Sequence, residues 1–147
     1  MKFYSLLFSL VFSTCIYAQV GINTDNPQST LDINGNLSVK HVGLVPTDGT
    51  LQDIDDGVYI SIDPFVSGQQ FRLPDATTVP GRIYILRNID NSDDASIVTQ
   101  GVGVEFFAGN NSTTGTTSVT LNGANVTTKT LIFISDGSNW TYGHLGF

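Results

Sequence analysis

Two acidic clusters, Asp53-Ile54-Asp55-Asp56 and Asp90 with Asp93-Asp94, are where side chains able to bind a cation gather most closely in this sequence. Carboxylates at Asp53, Asp55 and Asp56 ahead of Gly57 resemble the opening of a calcium loop, in which hard oxygen ligands close around the ion. The spacing departs from that loop, and Pro64 occupies the position expected to hold the closing glutamate. Solvated turn carboxylates are the simpler reading of both clusters, with weak Ca2+ binding the alternative for the second. His41 and His144 lack the spacing of a chelating pair, so no metal site is expected. A nucleophile elbow of the Gly-x-Ser-x-Gly type is missing, and Glu105 among many aspartates defines no carboxylate pair. Gly101-Val102-Gly103 lacks the helix that a dinucleotide-binding turn requires and reads as a turn. The chain is therefore expected to be non-enzymatic, with no catalytic residue and no cofactor.

A different chemistry is open to the aromatic residues. Tyr59, Phe106, Phe107, Trp140 and Tyr142 supply flat apolar faces of the kind that suit sugar rings. The polar run from Asn110 and Asn111 to Thr117 has the composition of a solvated loop tip that can hydrogen-bond to such rings. These aromatics with Asn110 and Asn111 form the candidate ligand surface. Packing inside a core or against a sister chain is the competing use of the same aromatics.

The elements that must position these residues follow from composition. The chain has 147 residues, with 6 Lys+Arg against 13 Asp+Glu and a formal charge of −7. That length allows one modest core and excludes a large multidomain enzyme. So few cations cannot neutralise a run of phosphates, which argues against nucleic acid and against anionic membranes. Lys2, an apolar stretch from Phe3 to Ile16 and then Tyr17-Ala18-Gln19 read as a secretory signal peptide cleaved after Ala18. The stretch is too short, and too interrupted by Ser5, Ser9, Ser13 and Thr14, for a span of roughly 20 apolar residues. Lipidation at Cys15 would be the alternative, but Phe12, Ser13 and Thr14 do not resemble a lipobox. Cleavage removes the single cysteine, leaving no disulfide, and self-association is one way for a small exported domain to gain stability without one.

Residues 19–147 are rich in Thr, Val, Ile, Asn and Gly and show no sustained helical period, so an all-β fold is expected. Candidate strands are 19–22, 30–33, 37–41, 58–62, 69–73, 82–88, 96–99, 104–107, 117–121, 126–135 and 140–144. Asn34-Gly35, Asp48-Gly49, Asp56-Gly57, Asn122-Gly123 and Asp136-Gly137 punctuate them with residues that accept positive φ. Ile83-Tyr84-Ile85-Leu86 and Leu131-Ile132-Phe133-Ile134 are apolar on both faces, so both faces need cover, from loops or from a neighbouring subunit.

The segment before residue 42 is an apolar-alternating strip without a core of its own, and Pro27 is expected to end a strand within it. Its residues Val20-Gly21-Ile22-Asn23-Thr24, then Pro27, then Leu31-Asp32-Ile33-Asn34-Gly35-Asn36 resemble the "VGIGT…P…LDVNGN" motif of phage tail-fibre-like proteins and exported Bacteroidetes surface proteins, with Asn23 in place of the usual Gly. Phe71-Arg72-Leu73-Pro74-Asp75-Ala76, Pro80-Gly81-Arg82-Ile83-Tyr84 and Ser135-Asp136-Gly137-Ser138-Asn139-Trp140 are similar to a β-module of tail fibres and related surface fibres. The resemblance implies an elongated homotrimer whose N-terminal motif interweaves three chains, with adhesion or surface attachment as its role. Val20, Ile22, Leu31, Ile33, Leu37 and Val39 would make the interchain seam. The expected organisation is a signal peptide over 1–18, an N-terminal β stalk over 19–41 and an antiparallel β-sandwich or jelly-roll-like domain over 42–147. A secreted or cell-surface trimeric module is the leading expectation, with a surface glycan or another fibre protein as partner. A monomeric carbohydrate-binding β-sandwich is the alternative.

Overall fold

The computed structural model describes residues 20–24, 30–111, 113–124 and 127–144. The expected signal peptide, Cys15, Gln19 and Pro27 lie outside the described residues. The chain divides into two compact units, Met1–Ser38 and Val39–Phe147.

In the first unit, strands β1 (Val20–Ile22) and β2 (Leu31–Ile33) pair in parallel, Val20 opposite Leu31 and Ile22 opposite Ile33. Asn23 ends β1 at φ 58°, in the left-handed region that asparagine tolerates better than most side chains. Its side-chain amide donates to the Asn34 carbonyl at 3.1 Å, joining the two strand ends.

The second unit contains β3 (His41–Leu44), β4 (Gln52–Asp53), β5 (Tyr59–Ile62), β6 (Gln69–Leu73), β7 (Ile83–Asn88), β8 (Ala95–Thr99), β9 (Phe106–Ala108), β10 (Ser118–Leu121), β11 (Thr130–Ser135) and β12 (Trp140–His144). They form a six-stranded sheet in the order β3-β5-β7-β11-β12-β9 and a four-stranded sheet in the order β10-β8-β6-β4. From β3 to β11 the chain changes sheet at every step. The expected antiparallel arrangement is corrected by this feature: β3, β5 and β7 are parallel neighbours, and so are β4, β6 and β8. Between these strands the chain crosses to the other sheet and comes back in its original direction, whereas a hairpin would reverse it; β10 against β8 and β11 against β7 are antiparallel, so both sheets are mixed. Both sheets advance by the same interval, Tyr59 lying opposite Ile85 and Phe71 opposite Ile97. β11 and β12 form an antiparallel hairpin.

Alternation along these strands builds one hydrophobic cluster from both sheets. Ile60, Ile62, Tyr84, Leu86, Phe106, Phe133 and Trp140 come from the larger sheet, and Phe71, Leu73, Ala95, Ile97 and Leu121 from the smaller. All are at 0% exposure, and each large apolar side chain among them contributes about 1.5–3 kcal/mol by leaving water. The fold is all-β: the helical content of the described residues is one 3-10 turn, Ala76–Thr78, capped by the Asp75 carboxylate accepting from Thr77 N–H.

Several local expectations differ from the structure, and the strand expected over 126–135 begins only at Thr130. The strand expected over 37–41 starts instead at His41, because its ladder partner is β5, and the Lys40 carbonyl already closes onto Val58 and Tyr59 N–H. Leu37 and Val39 have β-forming character, but a strand exists only where a neighbour can pair with it. Among the expected turn glycines, Gly57 and Gly137 adopt positive φ and Gly35, Gly49 and Gly123 do not. Gly123 serves close approach instead, since a Cβ there would lie 2.6 Å from the Asp93 carbonyl oxygen.

Candidate functional site

The structure sorts the expected ligand surface into four groups. Trp140 lies opposite Phe106 on the inward side of paired β12 and β9, and both are at 0% exposure. Trp140 Nε1 donates to Thr99 Oγ1 at 3.0 Å and to the Pro74 carbonyl at 3.2 Å, so its polar edge is satisfied internally. These two residues belong to the core and present no surface to a ligand. Tyr59 packs beside His41 with ring centroids 5.4 Å apart, and Phe107 lies opposite Thr141. Both stand on the outward side of the larger sheet. Asn111 shapes its loop, its Oδ1 accepting from Thr113 N–H at 3.0 Å and Thr114 N–H at 3.3 Å.

Asn110 and Tyr142, by contrast, come together. They line a cavity of about 490 Å³ with Ala108, Thr128, Leu131 and His144, where β9, β11 and β12 run side by side. Backbone bonding fixes the rim: Gly109 N–H donates to the Tyr142 carbonyl at 2.7 Å, and Asn111 N–H to the Ala108 carbonyl at 2.8 Å. The Tyr142 ring stacks near-parallel on buried Phe133, 6.0 Å between centroids and 24° between planes. The places of Thr128 and His144 in the cavity wall were not legible in the sequence, because neither sits in a motif and the loop before β11 brings Thr128 there.

The acidic clusters hold protein donors. The Arg72 guanidinium binds the Asp53 carboxylate through Nε at 2.7 Å and Nη2 at 3.1 Å, which lowers the Asp53 pKa and raises that of Arg72. Lys40 pairs with Asp56, which also accepts from Gly57 N–H, and its pKa is lowered by these bonds. Asp90 accepts from Asp93 N–H, Ser92 N–H and the Ser92 hydroxyl, and these bonds lower its pKa. The ammonium of Lys129 reaches the Asp90 and Gly123 carbonyls and Asn91 Oδ1. It ties two loops together from the place a cation would take among backbone oxygens, a role without any sequence signature. Among the described residues no group of three or more His, Cys, Asp or Glu is arranged to hold a metal ion.

The expected seam residues Val20, Ile22, Leu31, Leu37 and Val39 are exposed, and Ile33 is half-buried. No helix among the described residues is long and apolar enough to cross a membrane. Comparison with protein-family models, curated proteins and solved structures found no match.

Proposed function

We propose that this chain is an exported, non-enzymatic surface module of structural or adhesin-like type, a β-sandwich in its second unit, that assembles as a homotrimer. The observation that carries this reading is the outward side of the six-stranded sheet. Ile83 lies opposite Ile134 and Ile85 opposite Ile132, forming an apolar block across the two central strands. Ile83 is 42% exposed and Ile134 40%, and Tyr59 extends the block through its pairing with Ile85.

The outward positions of this sheet carry none of the chain's 13 Asp and Glu. The smaller sheet instead turns Gln70, Ser96, Ser118, Thr120 and the Asp53–Arg72 pair outward. Copies of a chain with net charge −7 repel across most approaches, so a carboxylate-free apolar face is where a second copy can dock. The exposed Val20, Ile22 and Leu31 supply a further apolar strip, and a two-stranded sheet alone is marginal in water.

Light scattering on the purified protein tests the reading, together with the double variant Ile83→Lys and Ile134→Lys. A trimer that the variant converts to a monomer with an unchanged far-ultraviolet circular dichroism spectrum supports it. A wild-type monomer at all concentrations, or a variant with an intact trimer, overturns the assignment of this face.

A further inference from the structure

The cavity beside β9, β11 and β12 contains the groups that recognise a particular class of small molecule. We propose that it is a binding site for a neutral saccharide, with Tyr142 as the platform and Asn110 as the hydrogen-bonding anchor. Three observations support this. The volume of about 490 Å³ falls within the range of small-molecule sites and leaves room for a pyranose ring.

Among the described residues, the lining contains no Asp, Glu, Lys or Arg. An anionic or cationic ligand would leave its charge uncompensated there, so selection favours an uncharged one. A sugar ring has one apolar face and many hydroxyls, which matches an aromatic ring placed beside amide, hydroxyl and imidazole groups. The Asn110 amide, Tyr142 phenol and His144 imidazole form no hydrogen bond with any other described residue, and the Thr128 hydroxyl donates to Asn122 Oδ1.

The third observation is that the site is held in shape before any ligand arrives. Phe133, itself at 0% exposure, fixes the Tyr142 ring by stacking. The rim bonds from Gly109 and Asn111 hold the backbone on either side of Asn110. A rigid aromatic surface loses little side-chain freedom on binding, and weakly binding sugars gain most from that.

This inference rests on the adhesin-like part of the proposed function and is independent of the trimer. Saturation-transfer NMR on the full chain with glucose, galactose, mannose, N-acetylglucosamine and lactose, each at millimolar concentration, tests it. Sialic acid and glucose 6-phosphate serve as anionic controls. At least one neutral sugar gives signal, the anions give none, and Asn110→Ala and Tyr142→Ala each weaken binding at least tenfold. Asn110 is exposed, so its variant keeps the fold should Tyr142→Ala lose stability with the Phe133 contact. Silence from every neutral sugar, preference for the anions, or full signal in Asn110→Ala overturns the site. Light scattering on the same sample reports the oligomer separately, so sugar binding by a monomer would remove the trimer and leave the site standing.

Discussion

The side-chain amide of Asn88 in β7 donates to the backbone carbonyl of Leu121 in β10 at 3.0 Å, linking the larger sheet to the smaller through the interior. The same amide donates to the Asp93 carbonyl at 2.8 Å, and Asn88 Oδ1 accepts from Asp90 N–H at 3.0 Å. Asn88 is at 0% exposure, so one polar side chain satisfies three backbone groups where water is scarce. Asn88→Leu keeps the volume and leaves those groups unpaired. Urea unfolding is expected to show a loss of about 3 kcal/mol. A change under about 0.5 kcal/mol would mean that the two sheets are held together without this link.

Lys129→Met keeps the apolar stem and removes the ammonium that joins the Asp90 and Gly123 carbonyls. Hydrogen bonds to a charged group contribute about 1.5–3 kcal/mol each in net terms. The variant should unfold at lower urea with an unchanged slope, and amide exchange should quicken in residues 90–94 and at Gly123. Uniform quickening across the unit would instead assign Lys129 to global packing.

Acid should destabilise the protein in a defined direction. The folded pKa of Asp90 is lowered by the backbone N–H groups of Asp93 and Ser92, that of Asp53 by Arg72 and that of Asp56 by Lys40. Between the lowered folded value and the ordinary one, the unfolded chain binds more protons, so stability rises with pH there. Their contribution is complete above the ordinary carboxylate range and disappears as pH falls through the lowered folded values. Melting temperature should drop between about pH 5 and pH 2. Asp90→Asn should lower it at neutral pH and flatten this acid slope, and an unchanged slope would remove Asp90 from the account.

Leu31 is 55% exposed in the single chain. If sister chains cover it, Leu31→Asp forfeits about 1.5–3 kcal/mol per copy and adds the cost of burying a carboxylate. The oligomer's melting temperature should then fall sharply in a concentration-dependent manner. An unaltered melt would place Leu31 in solvent.

Strand positions were legible where turn residues bracket an alternating run. Gln69–Leu73 and Trp140–His144 fall where the sequence places them. β4 was missed because Gln52–Asp53 has no apolar run and is defined only by its pairing with Phe71 and Arg72. Strand direction was missed for a related reason, since alternation shows which face a residue takes and says nothing about its partner. The site was half legible. Phe106 and Phe107 are consecutive in one strand, so no single surface holds both. Trp140 and Tyr142 share the inward side, where Trp140 is sealed and Tyr142 remains half-buried at the cavity. The link between Asn110 and Tyr142 depends on β9 lying against β12, a long-range pairing that no local pattern encodes.

The shuttling of the chain between its two sheets also bears on how quickly the second unit can fold. Among its described strands, β11 and β12 alone are neighbours both along the chain and within a sheet, so they offer a short loop to close early, as does the local bridge between Phe106 and Thr116. Every other ladder must wait for a distant segment to arrive. Refolding on the order of milliseconds to seconds is the regime of such non-local topologies, and until it finishes the newly made strand edges remain open to other chains.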